Sequence, residues 1–523
     1  MTRPLPRRLH RRLTSALTAT ATVAATVTAM GTFGSGTASA GPCSEMFGNF
    51  GSLLEHRTGA GMATGSLGSL GSSGGSGSIG SVSGSLGSED RSGSLVQQLE
   101  TGSLGNGISG SLDLMVGSVY GMPPWITGEE GTVPVLRGPT QFLQLVTGPT
   151  SPTESINKYG VAGTDLGIMW DNGATGDNRQ VLMAFGDTMG DCTVPGNQWR
   201  SNVLFRSGDA DLSDGITVDS AAMDTDGLAK SIVPRTGLPG EVTIIPTAGI
   251  SVNGVQYLRF MSVAHWGQPG SWTTNYSGMA YSTDNGENWT VVPELARPIT
   301  NAVPLDDGAP AADSSWRTAQ MSSFLKTNDY LYEYLTPSGR QGHAILARAA
   351  LDGSPTADEL DASDTALLSG VLDPQGYEYW DGSRWSADIA DASKVLPSPA
   401  SELSTMWNEH LGKFTAMYSQ GYNSVVMRTA DRPEGPWSPP TVLIDYSVLP
   451  GVYGAFMHPW AQEDDLYYLV TTWNAYNVFL VRTRLSEVFP SPNLRRAAPQ
   501  GATTEVIRQV PVTELVNGVV PTE

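Results

Sequence analysis

The sequence predicts an all-β protein whose main domain is a five-bladed β-propeller, with six blades as the alternative. From about residue 140 to residue 483, short β-forming runs are separated by Gly, Asn, Asp and Pro, without a helical period. This pattern is typical of a sandwich, a barrel or a propeller. Two observations favour the propeller. The runs form about five groups of four, and Ser282–Trp289 fits the Asp-box pattern S-x-D-x-G-x-x-W, a turn that joins two strands of a propeller blade.

The beginning of the chain predicts export. Residues 1–40 contain five arginines, then an Ala/Thr/Val-rich run, then Ala38-Ser39-Ala40, which is the layout of a signal peptide. The full chain has 523 residues, with 30 basic and 51 acidic ones; without this segment, 25 basic and 51 acidic residues leave a net charge of −26. Such a surface repels nucleic acid and anionic membranes. No later run is long and apolar enough to span a bilayer. We therefore expect a secreted monomer, extracellular or associated with a cell wall, that neither binds nucleic acid nor inserts into a membrane.

The rest of the chain divides by composition. Residues 41–57 form the mature N-terminus, and residues 58–109 are a Gly/Ser-rich low-complexity linker with too little side chain to offset the cost of ordering. Residues 110–139 regain apolar content and lead into the propeller domain, which is predicted over residues 140–485. Residues 486–523 form a polar, Pro-punctuated C-terminal tail, which we expect to be partly disordered.

Only two cysteines occur in the chain. Cys43 lies in the mature N-terminus, and Cys192 follows a predicted strand of the first blade. In an exported protein, two cysteines most simply form one disulfide. The sequence does not establish that they meet.

Five apolar runs are predicted to be the innermost strands of the blades. In chain order they are LGIMW, VTIIPTA, TAQMSSFL, SELSTMW and YGAFMHPW. In a propeller, every innermost strand runs along the central channel. Residues at the mouth of that channel therefore converge from all blades, although they lie far apart in sequence.

The first of these runs belongs to a hairpin with an aspartate at each open end. In GTDLGIMWDNGATGDNRQVLMAFGDT, turn-forming residues separate two apolar strands. Folding about that turn makes Asp165 and Asp187 cross-strand neighbours, with Cα atoms roughly 4.5 to 5.5 Å apart. Two carboxylates this close in a cleft are what a glycosidase needs, one as proton donor and one as nucleophile or base. The alternative is that both aspartates merely cap strand ends.

Other candidate residues carry weaker signals. Glu333, in YLYEYLTP, is a third candidate acid if it faces the channel rather than water. Glu409 is either a substrate-binding carboxylate or part of a hairpin turn, and His458 either binds sugar near the channel or is a hydrogen-bonded histidine at a strand end. The remaining candidates for substrate binding are aromatic and polar residues at predicted loop tips, namely Trp266, Trp316, Arg317, Gln320 and Trp460.

The sequence predicts neither a metal site nor a cofactor. Its six histidines are scattered, and one of them falls in the signal peptide. It contains no H-E-x-x-H motif, cysteine cluster or EF-hand loop. Phosphate loops, dinucleotide fingerprints and G-x-S-x-G elbows are also missing from any strand-to-helix context.

Several ordered motifs resemble one known family. They are GTDLGI followed by FGDT, then DSSWRTAQMSSF, LTPSGRQGHAILAR, MWNEHLGKFTAMY with RTADRPEGPWS, and YGAFMHPW. Over about residues 140–485, the chain resembles the family of domain of unknown function 4185, which are endo-D-arabinanases. The resemblance implies a five-bladed propeller that hydrolyses internal α-D-arabinofuranosyl linkages in mycobacterial-type arabinogalactan and lipoarabinomannan. It also implies that Asp165 and Asp187 are the catalytic carboxylates.

The leading hypothesis is therefore an endo-acting glycoside hydrolase whose partner is cell-wall D-arabinan. Asp165 is assigned as acid/base and Asp187 as nucleophile, and their short predicted separation favours a retaining reaction. A hypothesis from a different class is a non-catalytic secreted propeller that binds cell-wall glycan, in which the aspartates have no chemical role. A third is a sialidase-like or other furanosidase activity, which the Asp box suggests, although no arginine triad can be assembled.

Overall fold

The computed structural model describes residues 131–191, 198–268, 270–300, 308–362, 368–420, 424–473, 475–489 and 504–522. The predicted signal peptide, mature N-terminus and Gly/Ser-rich linker lie outside these residues, as do both cysteines. In this part of the chain, no helix is long and apolar enough to cross a membrane.

The first half of the described chain forms two blades and the strands that precede them. Two strands come first, β1 (Thr132–Arg137) and β2 (Thr140–Leu145), followed by the short helix α1 (Ser155–Tyr159). Blade 1 consists of β3 (Leu166–Asp171), β4 (Val181–Phe185), β5 (Val203–Ser207) and β6 (Ser220–Ala221). A small ribbon follows, made of β7 (Met223–Thr225) and β8 (Leu228–Ala229). Blade 2 consists of β9 (Thr243–Val252), β10 (Val255–Trp266), β11 (Trp272–Ser282) and β12 (Thr290–Pro298).

The second half forms three more blades. Blade 3 consists of β13 (Met321–Lys326), β14 (Tyr330–Thr336), β15 (Ala344–Ala350), β16 (Glu378–Trp380), β17 (Trp385–Ser386) and β18 (Lys394–Leu396), with the helix α2 (Ala357–Asp361) between β15 and β16. Blade 4 consists of β19 (Ser404–Asn408), β20 (Lys413–Gln420), β21 (Ser424–Ala430) and β22 (Thr441–Ile444). Blade 5 combines β2 with β23 (Val452–Met457), β24 (Asp465–Thr472) and β25 (Asn477–Arg484). The helix α3 (Leu485–Val488) and the strand β26 (Glu505–Pro511) follow.

The structure confirms the five-bladed propeller that the sequence predicts. Each of the five predicted inner runs is the innermost strand of one blade, namely β3, β9, β13, β19 and β23. Successive inner strands are neighbours around the ring, and the last one returns to the first. Because all of them run in the same direction along the channel, their first residues share one end of the propeller, which we call the mouth.

The hydrophobic core lies between the blades. Five clusters of buried side chains fill the five junctions of the ring, one for each pair of adjacent blades. At the junction of blades 1 and 2, for example, Trp170 and Leu182 pack with Leu258 and Ala280. Burial of this apolar surface is the main force that holds the blades together.

The ring is closed by a strand from the beginning of the domain. The run QFLQLV lies within and just after β2, the outermost strand of blade 5, where β2 pairs antiparallel with β25. The hydroxyl of Thr140 lies 2.8 Å from that of Thr483 and donates to the carbonyl of Leu443 in blade 4. Closure by a hydrogen-bonded strand removes the open edges that the sheet would otherwise expose.

Part of the C-terminal tail, which is expected to be partly disordered over residues 486–523, packs against the domain. The strand β26 pairs antiparallel with β1, and Val510, Val512, Leu515 and Val520 are buried in the cluster between blades 4 and 5. These apolar residues are separated by polar ones, so the average composition of the tail is polar. Its apolar side chains nevertheless pack together against the domain.

The Asp box forms the predicted turn, between β11 and β12. The hydroxyl of Ser282 accepts the backbone N–H of Gly286 at 2.9 Å, and Asp284 accepts that of Asn288 at 2.8 Å. The indole of Trp289 donates to the carbonyl of Gly286 at 3.0 Å. All these bonds stay within the turn, in keeping with a structural role.

A buried ion network joins blades 2 and 3. Glu333, on β14, is completely buried and accepts two hydrogen bonds from Arg297 at 2.7 and 2.8 Å. It also forms an ion pair with Arg259 at 3.0 Å and accepts a hydrogen bond from Ser322 at 2.6 Å. Although burial by itself raises the pKa of a carboxyl group, the two guanidinium charges lower the pKa of Glu333 to about 2.

We predict that Glu333→Ala lowers the free energy of unfolding by about 3 to 5 kcal/mol, because two buried arginines lose their counter-charge. Chemical denaturation followed by tryptophan fluorescence measures this change. The matched control is Glu378→Ala, since Glu378 forms a partly exposed pair with Arg348 and its loss should cost no more than about 1 kcal/mol. Equal effects of the two substitutions would contradict the structural role of Glu333.

Candidate active site

The two aspartates of the first hairpin lie side by side at the mouth. The antiparallel register pairs Gly163 with Met189 and Leu166 with Phe185, so Asp165 lies opposite the Gly186-Asp187 step. The charge of Asp187 acts on Asp165, so the two carboxyl groups are neighbours. Both side chains are half-buried and keep part of their surface open to solvent. The hairpin therefore presents two neighbouring carboxyl groups at one end of the channel.

Local irregularities of the hairpin make room for the first carboxylate. A bulge interrupts the ladder between Leu166 and Ile168, and both Leu166 (φ 71°) and Gly167 (φ 88°) have left-handed backbones. Opposite the bulge, Gly186 donates its N–H to the carbonyl of Asp165 at 3.1 Å. A Cβ atom at position 186 would overlap Oδ1 of Asp165. Because Gly186, the glycine of the FGDT motif, has no side chain, the carboxyl group of Asp165 can lie against its backbone.

Asp165 lies in surroundings that favour its protonated form. The hydroxyl of Tyr453 donates to Oδ2 at 3.1 Å, while Oδ1 is buried and has no hydrogen-bond partner in the described part of the chain. Burial raises the pKa of Asp165 well above its ordinary value, and the negative charge of Asp187 raises it further; the Tyr453 hydrogen bond acts in the opposite direction. Asp165 is therefore the better proton donor of the two.

Asp187 receives more hydrogen bonds. Its Oδ1 accepts from the hydroxyl of Thr243 at 2.5 Å, and the side chain of Trp199 donates to the same carboxyl group. Burial raises the pKa of Asp187 to about 7, against the lowering effects of the Thr243 and Trp199 hydrogen bonds and of the charge on Arg235. At neutral to slightly alkaline pH, Asp187 is therefore the carboxylate of the pair.

Blade 5 braces the hairpin that carries both aspartates. The hydroxyl of Tyr476 donates to the carbonyl of Asp187 at 3.3 Å, and the backbone N–H of Leu166 donates to the hydroxyl of Thr471 at 2.9 Å. Because Tyr453 belongs to the same blade, the acid pair is carried by blade 1 and held by blade 5.

A charged pair lies at the mouth beside Tyr453. Arg340, in the connection between β14 and β15, donates to both carboxylate oxygens of Glu402, with a shortest distance of 2.7 Å. The other Glu402 oxygen also accepts the backbone N–H of Gly454 at 3.3 Å. The guanidinium group lies 4.7 Å from the ring centre of Tyr453 and 5.8 Å from that of Trp272. This pair links blades 2, 3, 4 and 5 around the mouth.

Four of the predicted substrate-binding residues lie at the mouth end of their strands. Trp266 ends β10 and packs edge-to-face against Trp272, with ring centres 5.7 Å apart. Trp316 is half-buried and Arg317 is exposed, both in a short 3-10 turn before β13. Gln320 is fully buried, and its amide bonds to Thr274 and to two backbone carbonyls. The structure thus gives Gln320 a supporting position and leaves Trp266, Trp316 and Arg317 accessible.

The other three predicted substrate-binding residues lie at the opposite end. Glu409 is exposed in the turn after β19, and its backbone N–H donates to Gln462. His458 is fully buried just after β23, where burial and the charge of Arg179 lower its pKa to about 3. Trp460 donates its indole N–H to Asp171 at 2.5 Å. Each of these residues follows the end of an inner strand, whereas the aspartates are next to the start of one, so they are not near the acid pair.

Glu333 also lies apart from the acid pair. The alternation along β14 predicts that it faces either the channel or water, but the structure directs it into the junction of blades 2 and 3, where arginines neutralise it. A carboxyl group that is fully buried and charged at every moderate pH is unsuited to proton transfer. Glu333 is therefore no part of the site proposed below.

Sequence reasoning missed the residues that hold the aspartates. Thr243 and Tyr453 stand at the starts of the predicted inner runs VTIIPTA and YGAFMHPW. Both residues could have been predicted from the sequence, because the starts of all inner strands lie at the mouth together with Asp165. Trp199 and Tyr476 come from connections between strands, and no local pattern in the sequence indicates them. Within the described residues, no group of three or more His, Cys, Asp or Glu side chains is arranged to hold a metal ion.

The fold and the site together define a class of protein, a five-bladed β-propeller with a pair of aspartates at the mouth of its channel. Residues 150–482 match the family described as Domain of unknown function (DUF4185). The chain belongs to this family, as its ordered motifs predict.

Two Aspergillus proteins are similar to the chain. Notoamide biosynthesis cluster protein J of Aspergillus sp. (strain MF297-2) is 31% identical over 345 residues, which cover 62% of this chain and 82% of that protein. Notoamide biosynthesis cluster protein J' of Aspergillus versicolor is 31% identical over 364 residues, which cover 65% of this chain and 86% of that protein.

Two α-L-arabinofuranosidases are among the solved structures that align with the chain. The enzyme PaAbf62A from Podospora anserina aligns with a TM-score of 0.35 and 10% identity, over 65% of this chain and 96% of that one. The catalytic domain of the Coprinopsis cinerea GH62 enzyme aligns with a TM-score of 0.36 and 9% identity, over 65% of this chain and 97% of that one. At such values, nothing about the reaction of this chain follows from the likeness.

We predict that Gly186→Ala displaces the carboxyl group of Asp165 from its buried position and so lowers its pKa toward the ordinary value. The backbone at position 186 is not left-handed, so the added methyl group acts through the overlap alone. Carbon-13 NMR titration of the aspartate carboxyl groups measures the change. The control is Gly376→Ala, where a Cβ atom would come no closer than 3.3 Å to any neighbour. An unchanged titration of Asp165 would show that the site tolerates a side chain at position 186.

Proposed function

We propose that the protein is a secreted, endo-acting glycoside hydrolase that cleaves α-D-arabinofuranosyl linkages in cell-wall arabinan, of the kind found in mycobacterial-type arabinogalactan and lipoarabinomannan. The observation that carries the proposal is the pair of neighbouring, half-buried carboxyl groups at the channel mouth, both with raised pKa values. Two carboxyl groups with distinct hydrogen-bond surroundings can divide the roles of acid and base. The substrate itself comes from the motif resemblance.

In the proposed reaction, Asp165 is the acid and Asp187 the nucleophile. Asp165 gives its proton to the glycosidic oxygen as the bond to the anomeric carbon breaks through an oxocarbenium-like transition state. The carboxylate of Asp187 attacks the anomeric carbon and forms a glycosyl ester. Asp165, now a carboxylate, takes a proton from water, whose oxygen displaces Asp187 from the sugar. This step restores both groups and releases a reducing end.

The placement of the two aspartates on adjacent strands of one hairpin favours retention of configuration. Cross-strand neighbours place their Cα atoms about 5 Å apart, and retaining glycosidases hold their carboxyl groups about 5 to 5.5 Å apart, whereas inverting enzymes leave room for water between them. Proton NMR of the first product therefore tests the assignment, since retention gives the α-anomer first.

We predict that Asp165→Asn and Asp187→Asn each lower the rate of arabinan hydrolysis by at least about 1,000-fold, because each removes one half of the reaction. Release of reducing ends from purified arabinogalactan measures the rate. The matched control is Asp171→Asn, on the same hairpin at the opposite end of the channel, where activity should persist. Near-normal turnover in both variants would overturn the catalytic assignment. If the wild type binds arabinan without releasing reducing ends, the result favours a non-catalytic propeller that binds glycan.

The same substitutions should not harm the fold. The folded-state pKa of Asp187 is about 7, above the value of about 3.9 for an unfolded chain. Its stabilising effect is therefore complete below pH 4 and is lost as the pH rises through 7. At pH 8, thermal unfolding of Asp187→Asn should occur at or above the wild-type temperature, which separates loss of chemistry from loss of structure.

We predict that Thr243→Val shifts the acidic limb of the kcat/KM profile to higher pH. The reaction needs Asp187 ionised, so activity falls as the pH drops below about 7. Thr243 donates to that carboxylate and lowers its pKa, so removing the hydroxyl raises it. Thr283→Val is the control, because it removes a similar threonine–aspartate bond of 2.7 Å, to Asp361, at the other end of blade 2. An unmoved acidic limb in Thr243→Val would exclude Asp187 as the group that controls it.

A further inference from the structure

We infer that Trp473 is the stacking platform of a sugar-binding subsite beside the aspartate pair, and that this subsite takes a furanose unit next to the bond that is cleaved. The inference rests on the proposed function. It adds a residue through which the site contacts a second sugar unit of the polysaccharide chain. If the inference holds, loss of Trp473 weakens the binding of a long substrate, which fills several subsites. It leaves unaffected a short substrate that fills only the site of cleavage.

The position of Trp473 is fixed by the backbone. It follows β24 directly, in the connection to β25, at the same end of blade 5 as Tyr453. The backbone N–H of Trp473 donates to the carbonyl of Gly451 at 3.0 Å. The backbone N–H of Tyr476, three residues later, donates to the carbonyl of Thr472 at 2.8 Å. The connection that presents the indole is thus tied to both its own turn and the start of β23.

The indole of Trp473 is one ring away from each aspartate. Its ring centre lies 6.4 Å from that of Tyr453 and 6.0 Å from that of Tyr476. The hydroxyl of Tyr453 donates to the carboxyl group of Asp165, and that of Tyr476 donates to the backbone carbonyl of Asp187. A ligand that covers the indole therefore lies next to the reacting groups.

Among these three rings, only that of Trp473 is open to solvent to a large extent. The residue is 38% exposed, whereas Tyr453 and Tyr476 are 5% and 7% exposed. An aromatic side chain that lies next to convergent polar groups is typical of a ligand-binding site. The C–H groups on one face of a sugar ring are apolar and can lie against the indole, while its hydroxyls remain free to bond elsewhere.

The test compares long and short substrates in Trp473→Ala, Trp473→Phe and a matched control. Trp407 is equally exposed, at 37%, but lies near the end of β19, away from the mouth, so Trp407→Ala controls for the loss of a surface tryptophan. For polymeric arabinan, Trp473→Ala should raise KM about tenfold with little change in kcat, and Trp473→Phe should recover most of the loss. A short aryl α-D-arabinofuranoside, which fills only the cleavage point, should be hydrolysed by Trp473→Ala at the wild-type rate. The pH profile should not move.

The outcomes separate this inference from the proposed function. If the wild type cleaves arabinan and Trp473→Ala loses no affinity, or loses the same factor for long and short substrates, the subsite is wrong and the function stands. If the wild type binds arabino-oligosaccharides without cleaving them, the function fails, and isothermal calorimetry decides the subsite: weaker binding by Trp473→Ala but not by Trp407→Ala supports it, and unchanged binding overturns it. If the wild type neither cleaves nor binds arabinan, both fail.

Discussion

Closure of the propeller ring is the constraint on which the rest of the structure depends. Blade 5 completes its four strands with β2, which comes from before blade 1 in the chain. Closure holds blade 5 against blade 1, and the two tyrosines of blade 5 then meet the aspartate hairpin. The hairpin supplies both carboxyl groups, but without its neighbour it would have neither the Tyr453 hydroxyl nor the support of Thr471. The site is thus a product of the closed ring rather than of one blade.

The fold was largely predictable, because it follows from features that the sequence repeats. All five inner strands were identifiable as apolar runs between turn residues, and the register of the first hairpin followed from its turn. The site was predictable only where it is local. Asp165 and Asp187 belong to one hairpin, whereas Trp199, Arg340 and Tyr476 reach it from separate connections, and their places depend on how the blades pack.

Direction along the inner strands explains why some predicted candidates lie away from the acid pair. The runs SELSTMW and YGAFMHPW were correctly predicted as inner strands, but Glu409, His458 and Trp460 follow their ends. Parallel inner strands have their starts at one end of the channel and their ends at the other. A residue is therefore a neighbour of Asp165 only if it is near the start of its strand, as Thr243 and Tyr453 are. The hydrophobic periodicity and the composition of the sequence identify the strands. Only the direction of each strand shows which of its residues lie at the mouth and which at the opposite end of the channel.

The molecule treats its interior carboxyl groups in two opposite ways. Glu333 is paired with two arginines and a serine, so its pKa is about 2 and its charge is permanent. Asp165 has a tyrosine hydroxyl and a second carboxyl group as neighbours, so its pKa is well above the ordinary value. Burial raises the pKa of both groups, so the chemical nature of the partners decides which one can exchange a proton. Arg340 is close enough to influence Asp165, yet Glu402 neutralises it through paired hydrogen bonds. The arginine therefore strengthens the mouth without holding Asp165 in its charged form, which is the condition that an acid catalyst needs.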